Sequence, residues 1–238
     1  MTATSEPVPL SQIDLPPLDL TQPTAEQIHS ALRKAILSLS LPPGTRISEA
    51  EAGQRFGASR TPVREAMTWL RDEGLIVTFP SRGNFVTRFS EPAIRSAQFI
   101  REALEMAAVT LICESGLSPE HDQRLTEALA AQAKAIENSD AEAFHAADDA
   151  FHATIASATN MPRIETLVSR EKTALDRLRA LRLNDTEHLR QLADEHGRIA
   201  NALRKANLGR AQRILTPHLR GVLGVLESLK SEHRDYFE

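Results

Sequence analysis

Eight histidines occur in the chain, and the spacing of three of them with one aspartate is what could do chemistry. Asp148 and His152 stand four apart in Phe144-His145-Ala146-Ala147-Asp148-Asp149-Ala150-Phe151-His152. On a helix that spacing puts both side chains on one face. His196 follows in Glu195-His196-Gly197-Arg198-Ile199, and His218 comes later, each within a different predicted helix. One carboxylate and three imidazoles from three helices suit a first-row divalent cation, zinc first, with nickel or manganese as alternatives. Spacing alone leaves Asp149, three residues before His152, and His145 as rival ligands on the same face. The plain alternative is that these histidines are unrelated and partly exposed.

A second group has the types needed to read DNA. Arg60, Thr61 and Arg64 fall in the first turns of a predicted helix capped by Ser59, where a recognition helix presents side chains to base edges in the major groove. Arginine is the commonest specific reader, through paired bonds to guanine O6 and N7. Val63, Ala66, Met67 and Leu70 form the opposite stripe and are expected to bury. Pro62 is tolerated there because first-turn amides have no partner within the helix. On its own, such a helix would more often be amphipathic with solvated arginines.

The elements that must position these groups follow from periodicity. Residues 1–22, with Pro7, Pro9, Pro16 and Pro17 and no sustained period, read as a flexible tail. From Thr24, a plausible N-cap with Gln27 in capping-box position, apolar residues recur at helical spacing up to Leu39. Pro42-Pro43-Gly44 ends that helix. Ser48 caps a short helix over 49–56, Gly57 closes it, and the helix from Arg60 to Glu73 closes at Gly74. Two short helices around a glycine-containing turn make a helix-turn-helix. Leu75–Phe79 and Asn84–Thr87 then read as two strands around Pro80-Ser81-Arg82-Gly83, a wing. Beyond Glu91 only helical signals remain, near 92–115, 119–138, 140–158, 162–182, 185–206 and 208–232. The expected architecture is mainly α: a winged helix-turn-helix over 23–89, then an all-α bundle of about six helices over 90–238.

Composition agrees. Of 238 residues, 41% are hydrophobic, 25% charged and 4% aromatic, a bias towards helix formers that disfavours an all-β sandwich. Cys113 is the one cysteine, so neither an intramolecular disulfide nor a cysteine zinc cluster is available. No signal peptide or membrane span is evident, and a cytoplasmic location is expected. The net charge of −4 argues against nucleic acid until it is divided. Residues 21–90 carry nine Lys and Arg against six Asp and Glu, while residues 91–238 carry nineteen against twenty-three. A modestly basic segment is thus joined to an acidic one, a weak sign that the first meets a polyanion.

Order and spacing say more. The run Leu41-Pro42-Pro43-Gly44-Thr45, Ser48-Glu49, Gly57-Ala58-Ser59-Arg60-Thr61-Pro62-Val63-Arg64-Glu65-Ala66, Glu73-Gly74-Leu75-Ile76 and Arg82-Gly83-Asn84-Phe85-Val86 closely resembles the GntR family of bacterial transcription regulators over about 24–87. The resemblance implies that Arg60, Thr61 and Arg64 read the groove, that Ser59 and Arg46 meet phosphates, and that the wing tip at Gly83 enters the minor groove. Ala52-Gly53 departs from the family's usual Leu-Ala. Over about 95–226, Arg101-Glu102-Ala103-Leu104-Glu105, Asp148-x-x-Phe151-His152, Asn160, Glu195-His196-x-x-Ile199 and His218-Leu219 resemble the FCD effector domain of the FadR branch. Metal-binding members use one Asp and three His, which match Asp148, His152, His196 and His218. Pro217, inside a predicted helix, departs from that pattern.

In this branch the arginine matching Arg101 often points into the effector cavity, where a guanidinium can grip a carboxylate bidentately; an ion pair with Glu105 is the structural alternative. Arg177, Arg179 and Arg182 read as a solvated face. The function implied is a homodimeric repressor that binds double-stranded operator DNA and is released by a small organic-acid or sugar-acid effector. One alternative is a regulator for which the metal ion itself is the signal. Another is a metal-dependent hydrolase, which the absence of an obvious general base disfavours.

Overall fold

The structure, a computed structural model, describes residues 9–19, 21–181 and 186–238. It divides into two compact units, Met1–Ala93 with Glu227–Glu238, and Ile94–Leu226.

The first unit is built on three helices, α1 (Thr24–Leu37), α2 (Glu49–Phe56) and α3 (Arg60–Asp72). Ile28, Leu32 and Ile36 of α1 and Val63, Met67 and Leu70 of α3 recur every three or four residues and bury against one another. The expected boundaries are met at α2: the Ser48 hydroxyl accepts from the Glu51 amide, and Gly57, at φ +62°, supplies the left-handed residue after the helix. Thr24 is not the cap of α1. That place belongs to Pro23, and Gln27 reaches outward, its amide donating to the Asp19 carbonyl at 2.8 Å and accepting from the Asp19 amide at 2.7 Å.

The wing has three strands rather than two. β2 (Ile76–Phe79) and β3 (Gly83–Val86) pair antiparallel, Ile76 facing Val86 and Phe79 facing Gly83, and β1 (Arg46–Ile47) pairs with the other edge of β3. A two-residue strand carries no readable period, so β1 had no signature in the sequence.

Two terminal segments also depart from expectation. Residues 10–15, expected within a flexible tail, are packed: Leu10, Ile13 and Leu15 join the core of the winged helix. The Leu10 amide donates to Glu51 Oε1 at 2.6 Å and Arg55 Nη2 donates to the Leu15 carbonyl at 2.5 Å, so the segment straps onto α2. The final residues, expected in the bundle, belong to this unit too. Phe89 exchanges backbone hydrogen bonds with Tyr236 and Glu238, its ring lies 5.2 Å from that of Phe237, and Lys230 pairs with Glu91 at 2.8 Å.

The second unit is helical: α4 (Glu91–Ser115, which begins in the first unit), α5 (Pro119–Glu137), α6 (Ala141–Ser157), α7 (Pro162–Ala180), α8 (Thr186–Arg204) and α9 (Leu208–Gly224). α5 packs on α6 and α8, and α8 on α9. Their shared core includes Val109, Ile112, Leu125, Ile155, Leu203 and Leu215. α9 runs through Pro217 without a break, and the helix expected to reach residue 232 instead ends at Gly224 and resumes as α10 (Leu226–Glu232). Among the described residues, no helix is long and apolar enough to cross a membrane.

Candidate metal centre and DNA-reading surface

His152 on α6, His196 on α8 and His218 on α9 meet in the interior of the bundle. The first two are fully buried and His218 is 6% exposed. His218 Nε2 lies 3.2 Å from His196 Nε2 and 3.3 Å from His152 Nε2. Asp148 Oδ1 stands beside two of the three rings, 3.5 Å from His196 Nε2 and 3.9 Å from His152 Nε2. Phe151 fixes one ring from behind, stacked on His196 at 4.4 Å.

What lies on the other nitrogen of each ring sets its tautomer. His152 Nδ1 is 2.7 Å from Glu105 Oε2, His218 Nδ1 is 2.8 Å from Glu195 Oε2, and His196 Nδ1 is 3.0 Å from Gln132 Oε1. The Gln132 amide nitrogen donates to the Ala147 carbonyl, which turns its oxygen towards His196. All three partners accept, so each Nδ1 carries the hydrogen and each Nε2 presents a lone pair. Burial lowers the His152 pKa to about 4 even though Glu105 pulls it back up, so the ring is neutral at pH 7. Glu105 is buried, which raises its pKa, but Arg101 and His152 together overcome that and hold it down to about 2.

Three lone pairs therefore converge in the buried interior, with a carboxylate oxygen beside two of them. No hydrogen lies between the Nε2 atoms, so their approach repels unless a cation stands among them. For zinc at 2.0–2.1 Å from each nitrogen, a tetrahedral site has N···N edges of about 3.3 Å. The separations of 3.2 and 3.3 Å match that value, and the residues fit a divalent transition metal.

Of the rivals on the face of α6, Asp149 turns to Lys172 of α7 with its side chain about half exposed. His145 lines a separate cavity of about 60 Å³ with Leu178, His188, Leu189, His218 and Val222, which adjoins the histidine group through His218. Arg101, held open between two roles, is 1% exposed and donates through Nε to Glu105 Oε1 at 2.6 Å. Its Nη2 is buried and makes no hydrogen bond among the described residues. Arg177 is not on a solvated face: it is buried, and burial lowers its pKa to about 10. The Arg179 side chain and Arg182 lie outside the described residues. Sequence reasoning missed Gln132 and Lys172 altogether, quoted Glu195 within a motif without giving it a role, and saw Glu105 only as a partner for Arg101. Helical spacing could not reveal them, because each acts across helices.

In the first unit, Arg60, Thr61 and Arg64 are exposed at the start of α3 while Val63, Ala66, Met67 and Leu70 are buried behind them. Arg64 Nε is held by Glu49 Oε2 at 2.8 Å. Ser59 has extended backbone and its hydroxyl makes no capping bond, so it stays available to another acceptor. Arg46 is exposed on β1 beside the wing tip, its Nε 3.6 Å from where a Cβ on Gly83 would stand. Gly83 has φ +98°, a conformation that favours glycine. Arg82, which sequence reasoning passed over, lies 5.9 Å from the rings of both Phe79 and Phe85. Arg71 of α3 reaches Thr78 and Asn84 of the wing at 3.4 and 3.5 Å, tying the recognition helix to β2 and β3.

Comparison with known proteins agrees with this geometry. Residues 24–86 match the model of the bacterial regulatory proteins of the gntR family, and residues 98–221 match the FCD domain. The chain belongs to the GntR family and carries an FCD domain. It is 32% identical to the HTH-type transcriptional repressor RspR of Escherichia coli K12, over 92% of this chain and 96% of that protein. The HTH-type transcriptional regulator LutR of Bacillus subtilis is 26% identical, over 81% and 96%. Among solved structures, a protein of Rhodococcus sp. RHA1 described as a GntR transcriptional regulator aligns with a TM-score of 0.71 and 26% identity, over 84% of this chain and 97% of that one. Escherichia coli McbR/YncC shares the fold with a TM-score of 0.73 at 22% identity, over 86% and 97%. The protein is a DNA-binding transcriptional regulator and not an enzyme.

Proposed function

We propose that this GntR-family regulator is a homodimeric, cytoplasmic repressor whose FCD domain holds a divalent metal through Asp148, His152, His196 and His218 and responds to a small carboxylate. The observation that carries this is the convergence of three Nε2 atoms, each ring oriented by its own acceptor, with Asp148 Oδ1 beside those of His196 and His152. Bound there, zinc, or nickel or manganese in its place, supplies a Lewis-acid centre for an anionic ligand. Arg101 Nη2 is the donor offered to the effector's carboxylate; the cavity beside His218, which Arg101 does not line, has room for only a few atoms and favours a small acid. The relative RspR is a repressor, which supports the same role here.

On DNA, Arg60, Thr61 and Arg64 read base edges, Ser59 and Arg46 meet phosphates, and Arg82 and Gly83 form the part of the wing that enters the minor groove. Glu49 holds Arg64 through Nε, which leaves its two terminal nitrogens for base edges. Dimerisation is supported by Phe99, 71% exposed on α4, with Ile100 and Leu111 also exposed on that helix. Fluorescence anisotropy with DNA from the adjoining promoter tests the reading. Nanomolar, salt-sensitive, sequence-selective binding that weakens on adding a small carboxylate is expected. Binding indifferent to sequence, with or without metal, would end it. The second reading, in which the ion itself is the signal, draws on the burial of the histidines; in that case operator affinity tracks metal concentration with no organic acid present.

A further inference from the structure

The two oxygens of Asp148 lie in different surroundings. Oδ1 faces the imidazoles, 3.5 Å from His196 Nε2 and 3.9 Å from His152 Nε2. Oδ2 lies 3.0 Å from the ammonium of Lys172, on α7. The same ammonium donates to Asp149 and, at 2.9 Å, to Asp176 one turn along its own helix. An ammonium has three donors, and here three carboxylates lie within reach of it. The Lys172 side chain is buried, so swinging away would take an unpaired cation through the bundle interior.

We propose that Lys172 is a positioning residue of the metal centre: by occupying Asp148 Oδ2 it leaves Oδ1 as the single carboxylate oxygen open to a cation among the three histidines. The inference rests on the metal reading above. A carboxylate can otherwise offer both oxygens to one ion. With Oδ2 taken, the protein supplies three nitrogens and one oxygen, and an ion preferring five or six ligands keeps positions for water or a small acid. The lysine's charge also withdraws electron density from Asp148, which leaves the ion more attractive to an anion. Lys172 thereby favours a centre open to effector over one saturated by protein.

The test uses the full chain loaded with cobalt(II), whose visible absorption weakens as its coordination number rises. In Lys172→Met, of similar length and without charge, Asp148 is free to bind through both oxygens. The cobalt absorption is expected to weaken, and acetate titrated into the cobalt protein to bind about tenfold more weakly. Lys172→Arg, which keeps a cation at Oδ2, restores both. Asp176→Asn, which loosens the ammonium without removing it, shifts both in the same direction by less, and it decides the question if Lys172→Met does not fold. Spectra and acetate affinity unchanged in the folded variants overturn the role of Lys172 and leave the metal centre standing. Failure of the wild-type chain to take up cobalt overturns the metal reading itself.

Discussion

Replacing Arg101 by Met tests how the histidine group is held. Arg101 is 1% exposed and Glu105 fully buried, so the variant leaves an anion inside the bundle with only His152 beside it. Glu105 has its pKa lowered from an ordinary 4.5 to about 2. A depression of that size, produced by Arg101 and His152 together, corresponds to about 3 kcal/mol; removing one partner of a buried pair costs roughly 3–5 kcal/mol, so about 3 kcal/mol is the order expected for Arg101. Because the folded value lies below the unfolded one, this contribution is complete above about pH 5 and disappears as the pH falls towards 2. Arg101→Met should therefore melt lower by roughly 6–12 °C at pH 7, at about 2–4 °C per kcal/mol for a chain of this size. Its stability should also fall less steeply than wild type below pH 5. The variant has a cheaper escape, uptake of a proton by His152, which removes the Nε2 lone pair and weakens metal binding as well. Calorimetric melting across pH 3–8 in the presence of chelator isolates the first effect, and zinc titration at pH 7 reads the second. A melting temperature within about 2 °C of wild type, together with unchanged zinc affinity, would refute the argument.

Other consequences can be measured independently. Leu10→Ala should cost about 2–5 kcal/mol in the unfolding of the winged-helix unit, seen as a lower urea midpoint, because Leu10 is 1% exposed in its core; a flexible tail would show no change. Phe237→Ala should destabilise the same unit by about 3 kcal/mol through loss of its contact with Phe89, detected as faster hydrogen exchange at the Phe89 amide. Arg60→Ala should cost about 1–3 kcal/mol on the preferred operator and relax selectivity at one base pair, whereas Arg46→Ala should weaken all sequences alike and reduce the salt slope by about 1; anisotropy at several salt concentrations separates the two. Arg71→Ala, which unties α3 from Thr78 and Asn84, should lower operator affinity about tenfold with little change in melting temperature, since its bonds are at least partly exposed.

The winged helix was legible because its signals are local. Ser48, Gly57 and Gly74 punctuate the helices, and the period changes from helical to alternating after Gly74, where β2 and β3 form. Asp148 and His152 were legible as a pair for the same reason, being one turn apart. Spacing could not choose Asp148 over Asp149; the family resemblance favoured Asp148, and in the structure it is Asp148 whose Oδ1 faces the imidazoles while Asp149 turns to Lys172. Glu105, Gln132 and Glu195 were hidden likewise: each serves a histidine 23 to 64 residues away in sequence. The strap at 10–15 misled because prolines dominate its neighbourhood, while its apolar residues contact a surface formed by other elements. The tail at Phe237 misled because a single bridge to Phe89 leaves no period.

In the function proposed above, the regulator's helical unit is organised around a metal held by three histidines and Asp148. Isothermal titration of zinc into chelator-stripped protein, wild type beside His196→Ala, tests it most directly. One ion per subunit is expected for wild type, with affinity falling at least 100-fold in the folded variant. A wild-type chain that binds no zinc, nickel or manganese, or a His196→Ala chain that binds as tightly as wild type, would contradict it.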